Sequence, residues 1–157
     1  AVKLIDSAER PLVVFGQGVT LSGAEKQLEA FLKKGGIPAA STLLGLSALP
    51  SDFPYHLGMA GMHGSIAANM MTQKCDLLIA VGMRFDDRVT GKVSAYAPNA
   101  KLIHIDIDES EIGKIIKADV GIVGDAARVL ELLCEKMQFC FHDEWCCLAR
   151  KYMEVEA

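Results

Sequence analysis

A short apolar segment followed by a polar tip limits the possible folds of this chain more than any other feature. Residues 76–81 are DLLIAV, an almost continuous apolar run that is typical of a buried parallel strand. A glycine ends the run, and two arginines and two aspartates follow within residues 82–91, GMRFDDRVTG. Ligands of open α/β sheets bind beyond the carboxyl ends of the strands. The segment therefore predicts an α/β sheet with a binding site at this strand's end.

The charged side chains of the tip suit a ligand with phosphate or sugar groups. Arg84 and Arg88 are planar donors for phosphate or ring oxygens. Asp86 and Asp87 either pair with these arginines or accept hydrogen bonds from sugar hydroxyls. The alternative is a solvent-exposed turn with internal Arg–Asp pairs, which contribute little to stability.

Four further apolar runs alternate with helical patterns along the chain. The predicted strands are residues 12–15, 37–42, 76–81, 101–105 and 120–123, and the predicted helices are residues 2–9, 22–34, 65–74, 109–115 and 126–137. This alternation predicts a doubly wound, mostly parallel sheet of five or six strands with helices on both faces. In a flavodoxin-like order, strands 12–15 and 76–81 are neighbours at the switch point of the sheet.

Two more segments are predicted to lie at that switch point. Gly16-Gln17-Gly18 follows the first strand, and the missing side chains let backbone N–H groups approach a phosphate or an adenine. A plain tight turn explains the same residues equally well. Asp106 and Asp108 end the strand at 101–105, where a carboxylate can accept hydrogen bonds from ribose or ribityl hydroxyls. Alternatively, Asp108 or Ser110 caps the helix at 109–115.

The segment 43–63 is predicted to be a long non-repetitive loop. Loops of this length in compact domains are usually functional or disordered, and its many leucines and methionines argue against disorder. We therefore expect it to pack over a flat, partly hydrophobic group. His63 near its end is more simply explained as a hydrogen-bonded structural histidine than as a catalytic one. Ser65 or Gly64 is expected to cap the helix that follows.

Composition excludes several classes of function. The 157 residues suit one domain, 51% of them are hydrophobic, and a net charge of −4 argues against a nucleic-acid surface. No apolar run reaches the roughly 18–20 residues that span a bilayer. Five cysteines without a CxxC pair favour reduced thiols and a cytoplasmic location. Cys140, His142, Asp143, Cys146 and Cys147 match no zinc spacing, so a structural helix is preferred there.

Motifs for chemistry are missing from the sequence. We find no nucleophile elbow, no Walker loop and no paired carboxylates in an apolar setting. The residues therefore predict a cofactor-binding module without its own chemistry. The start at Ala1 and the absence of a stop signal after the last helical segment lead us to expect a domain from a longer polypeptide, with residues 1–138 as the nucleotide-binding unit and 139–157 as a linker helix.

Three segments in this order resemble one enzyme family. Residues 57–64 (LGMAGMHG), 82–91 (GMRFDDRVTG) and 104–108 (HIDID) resemble the central domain of the acetohydroxyacid (acetolactate) synthase catalytic large subunit, and the resemblance covers essentially the whole chain. It implies a nucleotide-binding domain that holds FAD. The residues that fall at flavin-contacting positions are Gly16, Gln17, Gly18, Thr42, Leu43, Leu44, Gly61, Met62, His63, Gly64, Gly82, Arg84, Asp86, Arg88, Val89, Asp106, Ile107, Gly124 and Asp125. Relatives often have three glycines at positions 16–18, so a contact at Gln17 would come through its backbone.

The resemblance also implies a reaction that this chain does not perform alone. The family joins a two-carbon unit from decarboxylated pyruvate to a second 2-keto acid, in branched-chain amino-acid synthesis. Thiamine diphosphate and Mg²⁺ serve that reaction in two other domains, and the FAD does no net redox work. Implied partners are those two domains, further copies of the chain and a regulatory small subunit, with no nucleic acid or membrane. We therefore expect the isolated fragment to be inactive.

Two other classes are compatible with parts of the pattern. An enzyme whose flavin or nicotinamide does redox work on this fold, such as a pyruvate oxidase, would not be expected to have the RFDDRVTG segment, and a sirtuin-like deacylase would need paired CxxC motifs. A non-catalytic ADP- or NAD-binding module, or an electron-transfer flavoprotein domain, remains an alternative.

Overall fold

Parallel strands and surrounding helices alternate along the chain. The structure, a computed structural model, describes residues 1–61, 64–85, 90 and 96–156. Residue 156 is described by its backbone alone. The strands are β1 (Pro11–Phe15), β2 (Ala39–Ser41), β3 (His56–Met59), β4 (Leu77–Val81), β5 (Lys101–Asp106) and β6 (Val120–Val123). The α-helices are α1 (Val2–Ser7), α2 (Gln17–Leu21), α3 (Glu25–Gly35), α4 (Ile66–Lys74), α5 (Ala126–Lys136) and α6 (Asp143–Glu156), with 3₁₀ segments at Leu43–Ala48 and Glu109–Glu111.

The six strands form one parallel sheet in the order β3-β2-β1-β4-β5-β6. This confirms the predicted doubly wound α/β class. The five predicted strands stand in a flavodoxin-like order, the condition under which β1 and β4 were expected to be neighbours, and β1 lies directly beside β4. The added strand, β3, pairs with β2 at the edge of the sheet and extends the order to that of a Rossmann sheet.

The sequence-based prediction of one unbroken loop at 43–63 is wrong. Its first part is a 3₁₀ segment, and His56–Met59 is a strand. That strand is short and contains Gly58 at a φ of 100°, and Pro54 precedes it, so the period-two pattern of a strand is lost. The strand His56–Met59 forms because it pairs with β2, where Ser41 lies opposite Met59. The local sequence does not predict this pairing.

Both faces of the central strands are buried, which explains their continuous apolar character. Val13 and Phe15 of β1 point into one core, and Leu12 and Val14 point into the other. The first core is closed mainly by α3 and α5, whose buried residues are Leu28, Phe31, Leu32, Val129, Leu130 and Leu133. The second core is closed by α4 and α6. Burial of each large aliphatic or aromatic side chain contributes about 1.5–3 kcal/mol.

The C-terminal helix α6 packs on the second core. Trp145 and Ala149 are buried there, and the Trp145 indole N–H donates to the Pro11 carbonyl oxygen at 2.7 Å. The His142 ring nitrogens lie 3.0 Å from the Ala8 carbonyl oxygen and 3.3 Å from that of Gly36. In the part of the chain that the structure describes, no helix is long and apolar enough to cross a bilayer. That residues 139–157 lead to a further domain stays a prediction.

The packing of Trp145 makes a direct prediction about cooperativity. Trp145 is the only tryptophan in the chain, so its fluorescence reports the docking of α6. We expect the urea unfolding midpoint from Trp145 fluorescence to equal the midpoint from far-ultraviolet circular dichroism, because α6 belongs to the same cooperative unit as the sheet. A fluorescence transition at clearly lower urea would show that α6 undocks separately.

Candidate functional site

A large cleft opens at the carboxyl ends of β1, β4 and β5, at the switch point of the sheet. Its volume is about 1310 Å³, which exceeds the roughly 300–1,000 Å³ of typical small-molecule pockets. The lining comes from the segments that follow the strands: Gln17, Gly18, Leu21, Ser22, Thr42, Leu43, Leu44, Met59, Ala60, Gly82, Met83, Arg84, Ile105, Asp106, Ile107, Asp108, Glu111, Gly124, Asp125 and Ala126. The chain thus has room for an elongated ligand at the position where doubly wound sheets bind their ligands.

Glycines continue the hydrogen bonding of the sheet past the strand ends. The Gly16 N–H donates to the Val81 carbonyl oxygen at 2.9 Å, and the Gly82 N–H donates to that of Ile105 at 2.9 Å. The Gly124 N–H donates to the Asp106 carbonyl oxygen at 3.0 Å. Four neighbouring strand ends are therefore held side by side under the cleft.

The ends of β1 and β4 approach so closely that only glycine fits. A Cβ on Gly16 would lie 2.6 Å from the Gly82 carbonyl oxygen, and a Cβ on Gly18 would lie 2.6 Å from the Gly82 Cα. Gly82 itself has a φ of 59°, which L residues with a side chain rarely adopt. We call Gly16, Gly18 and Gly82 the glycine floor. Gly18 and Gly82 also line the cleft, so part of its surface is bare backbone.

Four apolar side chains stand exposed at the mouth of the cleft. Their exposed fractions are 77% for Leu21, 62% for Leu43, 66% for Leu44 and 74% for Ile107. All four line the same cavity. Isolated exposed leucines are ordinary, but a cluster of them around a cavity marks a surface that contacts an apolar group. We call these residues the apolar rim.

The charged side chains of the cleft are carboxylates with one arginine. Arg84 is 76% exposed, and its Nε lies 3.8 Å from the Glu111 Oε1, a weak pair that leaves the guanidinium available. Asp106 accepts a hydrogen bond from the Asp108 N–H at 3.0 Å. Asp108 accepts hydrogen bonds from the Ser110 hydroxyl and from the Ser110 N–H. These bonds, the hydroxyl's more than the N–H's, lower the pKa of the Asp108 carboxyl. Asp108 is therefore ionised at neutral pH.

Local structure around the cleft corrects three predictions. Gly16-Gln17-Gly18 is not a loop: Gly16 is the N-cap of α2, which begins at Gln17, and α3 begins at Glu25 rather than at residue 22. The predicted helix at 109–115 is only the 3₁₀ segment Glu109–Glu111. Of the predicted capping residues, Ser65 and Asp108 each accept a hydrogen bond from a backbone N–H at the start of a helix, and Asp125 caps α5 in the same way.

Most of the predicted site residues that the structure describes meet at this cleft. Eleven of them line it: Gln17, Gly18, Thr42, Leu43, Leu44, Gly82, Arg84, Asp106, Ile107, Gly124 and Asp125. Gly16 lies in the glycine floor. Gly61 and Gly64 instead belong to the turn between β3 and α4, where Asn69 exchanges two hydrogen bonds with Gly61. Met62, His63, Asp86, Arg88 and Val89 lie outside the described residues.

Other cleft residues were missed in the sequence. They include Leu21, Ser22, Met59, Glu111 and Ala126. Ser22 was assigned to the start of the predicted helix 22–34 and Leu21 to no element, and only the early start of α2 at Gln17 turns them toward the cleft. Met59 follows from β3, which was not predicted.

The cysteines are free thiols, and burial disfavours the thiolate form of two of them. All five are unpaired. Burial raises the pKa of Cys75 to about 12 and that of Cys146 to about 11. Among residues 1–61, 64–85, 90 and 96–156, no group of three or more His, Cys, Asp or Glu side chains is arranged to hold a metal ion. The thiol form dominates for both cysteines at neutral pH.

Comparison with known proteins finds one family and a set of related enzymes. Residues 1–133 match the family described as thiamine pyrophosphate enzyme, central domain. The probable acetolactate synthase large subunit of Methanocaldococcus jannaschii is 52% identical over 130 residues. The acetolactate synthase large subunit of Corynebacterium glutamicum is 51% identical over 135 residues, and isozyme 2 of Escherichia coli is 48% identical over 133.

These matches cover most of this chain but little of the relatives. The aligned segments span 83%, 86% and 85% of the chain, and 22%, 22% and 24% of the three relatives. The chain therefore spans about a quarter or less of the curated relatives it matches. The family resemblance drawn from the three sequence segments is confirmed by both kinds of match.

The glycine floor predicts a difference between two glycines that both have a positive φ. Gly82→Ala meets the Gly18 Cα at 2.7 Å, whereas a Cβ on Gly113, with a φ of 75°, meets nothing within 4 Å. We expect Gly82→Ala to lower the free energy of unfolding by about 2–4 kcal/mol, because it adds overpacking to backbone strain. Gly113→Ala, the matched control, should cost about 1–2 kcal/mol from strain alone. The measurement is urea denaturation. Equal losses of unfolding free energy in the two variants would show that the close approach of Gly82 to Gly18 is unimportant for stability.

Proposed function

This chain belongs to the family of thiamine pyrophosphate enzyme central domains, and we propose that it is the FAD-binding central domain of an acetolactate synthase large subunit. The observation behind the FAD assignment is the cleft itself, a large cavity at the switch point with a backbone floor, an apolar rim and an exposed arginine. The assignment to acetolactate synthase is supported by relatives of that name at about 50% identity.

The glycine floor suits the pyrophosphate linker of a dinucleotide. Gly18 and Gly82 both line the cleft, and their backbones are already in contact, so no side chain separates a ligand from the main chain. Close approach of the backbone to the pyrophosphate is the role of glycines in dinucleotide sites. The exposed Arg84 guanidinium lies at the same strand end and can donate to phosphate oxygens. Its present partner, Glu111, would have to release it.

The rest of the cleft suits the other parts of FAD. In the apolar rim, Leu21, Leu43 and Leu44 come from the segments after β1 and β2, and Ile107 follows β5. These side chains suit flat rings that are mostly apolar. Asp106 and Asp125 line the cleft and are acceptors for ribose or ribityl hydroxyls. The volume of about 1310 Å³ accommodates an extended dinucleotide rather than a single small molecule.

We place the chemistry of the parent enzyme outside this chain. The proposed reaction decarboxylates pyruvate and joins the two-carbon unit to pyruvate or 2-oxobutyrate, with thiamine diphosphate and Mg²⁺ supplying the carbanion chemistry. The described residues contribute a binding cleft with no nucleophile or base poised in an apolar setting, and they favour a role in holding FAD and supporting neighbouring domains. Further copies, a small subunit and a cytoplasmic location belong to the same proposal.

Flavin titration tests the site directly. We expect FAD to bind saturably with quenched flavin fluorescence, and Arg84→Ala to weaken its affinity about tenfold, because a charged hydrogen bond to phosphate is lost. The matched control is Arg150→Ala, which removes an exposed arginine on α6, remote from the cleft. The readout is the dissociation constant, with ADP and NAD as competitors.

Two results would contradict the FAD assignment. A dissociation constant for ADP or NAD far below that for FAD would indicate an adenine-nucleotide module. Equal losses of FAD affinity in Arg84→Ala and Arg150→Ala would show that Arg84 does not contact the FAD. If the chain alone fails to bind FAD, the same titration is made after transplanting it in place of the matching segment of the Corynebacterium glutamicum relative. Failure there as well would overturn the flavin assignment.

The same transplant tests the parent activity. We expect the 157-residue chain alone to form no acetolactate from pyruvate, because the domains that hold thiamine diphosphate are not part of it. The transplanted relative should recover acetolactate formation when thiamine diphosphate, Mg²⁺ and FAD are supplied. A transplant that folds and binds FAD but forms no acetolactate would contradict the assignment to this enzyme, and the unmodified relative serves as the control.

A further inference from the structure

One buried histidine contacts both residues that flank Arg84. The His104 Nε2 lies 3.1 Å from the Met83 carbonyl oxygen, and the His104 ring meets the edge of the Phe85 ring with centroids 5.1 Å apart at 74°. His104 itself has no exposed surface, and Met83 and Phe85 are almost fully buried. Arg84 therefore has an exposed side chain on a backbone that is anchored on both sides.

The hydrogen bond to Met83 defines which ring nitrogen of His104 holds the proton. A carbonyl oxygen can only accept, so Nε2 is the donor. The Asp106 Oδ2 lies 3.9 Å from the same nitrogen, too far for a second hydrogen bond but close enough for its negative charge to favour that tautomer. The ring thus connects the end of β4 with the cleft carboxylate at the end of β5.

The other ring nitrogen shows that this arrangement has a cost. His104 Nδ1 is buried, and among the described residues it has no hydrogen-bond partner. A buried acceptor without a partner destabilises a fold, and a leucine of similar size would avoid that penalty. Packing alone therefore does not explain a histidine here, whereas the Nε2 hydrogen bond does.

We infer that His104 is a positioning residue for the cofactor cleft: its Nε2–H bond to Met83 and its ring contact with Phe85 hold the backbone at Arg84 in place for an anionic ligand. This inference rests on the proposed function, because the ligand whose binding it supports is FAD. Arg84 makes the phosphate contact, and His104 acts through it without touching the ligand.

Substitutions that keep or remove the Nε2 donor test the inference. The amide nitrogen of Gln reaches about as far as Nε2, so His104→Gln should keep the FAD dissociation constant within about threefold of the wild type. His104→Leu keeps the volume but loses the donor, and should weaken FAD about tenfold, or about 1.4 kcal/mol. His104→Asn, whose amide is one carbon shorter, should resemble His104→Leu and replaces it if the leucine variant does not fold.

A control separates positioning from general stability. Ile103 is the neighbour of His104 on β5 but points into the opposite core, so its side chain faces away from Met83 and Phe85. Ile103→Val should lower the thermal midpoint without changing the FAD dissociation constant. A loss of affinity in Ile103→Val equal to that in His104→Leu would reduce His104 to an ordinary core residue.

A ligand-free measurement keeps the inference testable if FAD binding fails. We expect trypsin to cleave the Arg84–Phe85 bond of the native wild-type chain slowly, and that of His104→Leu several times faster. Cleavage after Lys26, an exposed lysine on α3, is the internal reference in the same mass-spectrometric time course. His104→Gln should restore slow cleavage. Unchanged cleavage at Arg84 in His104→Leu would overturn the positioning role of His104. If cleavage is faster in His104→Leu but FAD does not bind, the anchoring of the Arg84 backbone by His104 stands and only the proposed function is contradicted.

Discussion

The contact between the backbones of Gly16, Gly18 and Gly82 is the constraint on which the site depends. It brings the ends of β1 and β4 together so closely that a single methyl group at these positions would overlap main-chain atoms. The hydrogen bonds from Gly16 to Val81 and from Gly82 to Ile105 then align the next strand ends in turn. Because the strands are buried on both faces, this alignment is transmitted by a tightly packed sheet. The cleft is therefore largely formed before any ligand binds.

Rigid backbone and free side chains are combined in this cleft. The glycine floor and His104 hold the main chain, while Arg84 and the apolar rim remain exposed. A preorganised backbone limits the entropy lost on binding, and exposed side chains can still adjust to the ligand. This combination suits the proposed role of the domain, which is to hold a large cofactor while the chemistry takes place elsewhere. The docked helix α6 adds Trp145 to the same packed unit.

The parts of the site that were predictable lie where strand patterns are strong. Val81 ends a continuous apolar run and Ile105 ends one that only His104 interrupts, so Gly82, Arg84 and Asp106 could be placed at strand ends from the sequence and meet in the structure. The parts that were missed depend on weak local patterns. The early start of α2 at Gln17 and the pairing of β3 with β2 both follow from contacts with distant segments. Local propensity contains no information about such contacts.

The sequence by itself determined the class of fold and the family. Buried parallel strands need continuous apolar runs, helices on both faces need periodic ones, and the motif at 82–91 is specific enough to identify relatives. The tertiary structure alone decided which residues share the cleft. It turned Leu21 into a rim residue, separated Gly61 and Gly64 from the cleft lining and placed His104 against both neighbours of Arg84. The physical reason is distance along the chain: these contacts join segments that are close only after the sheet has formed.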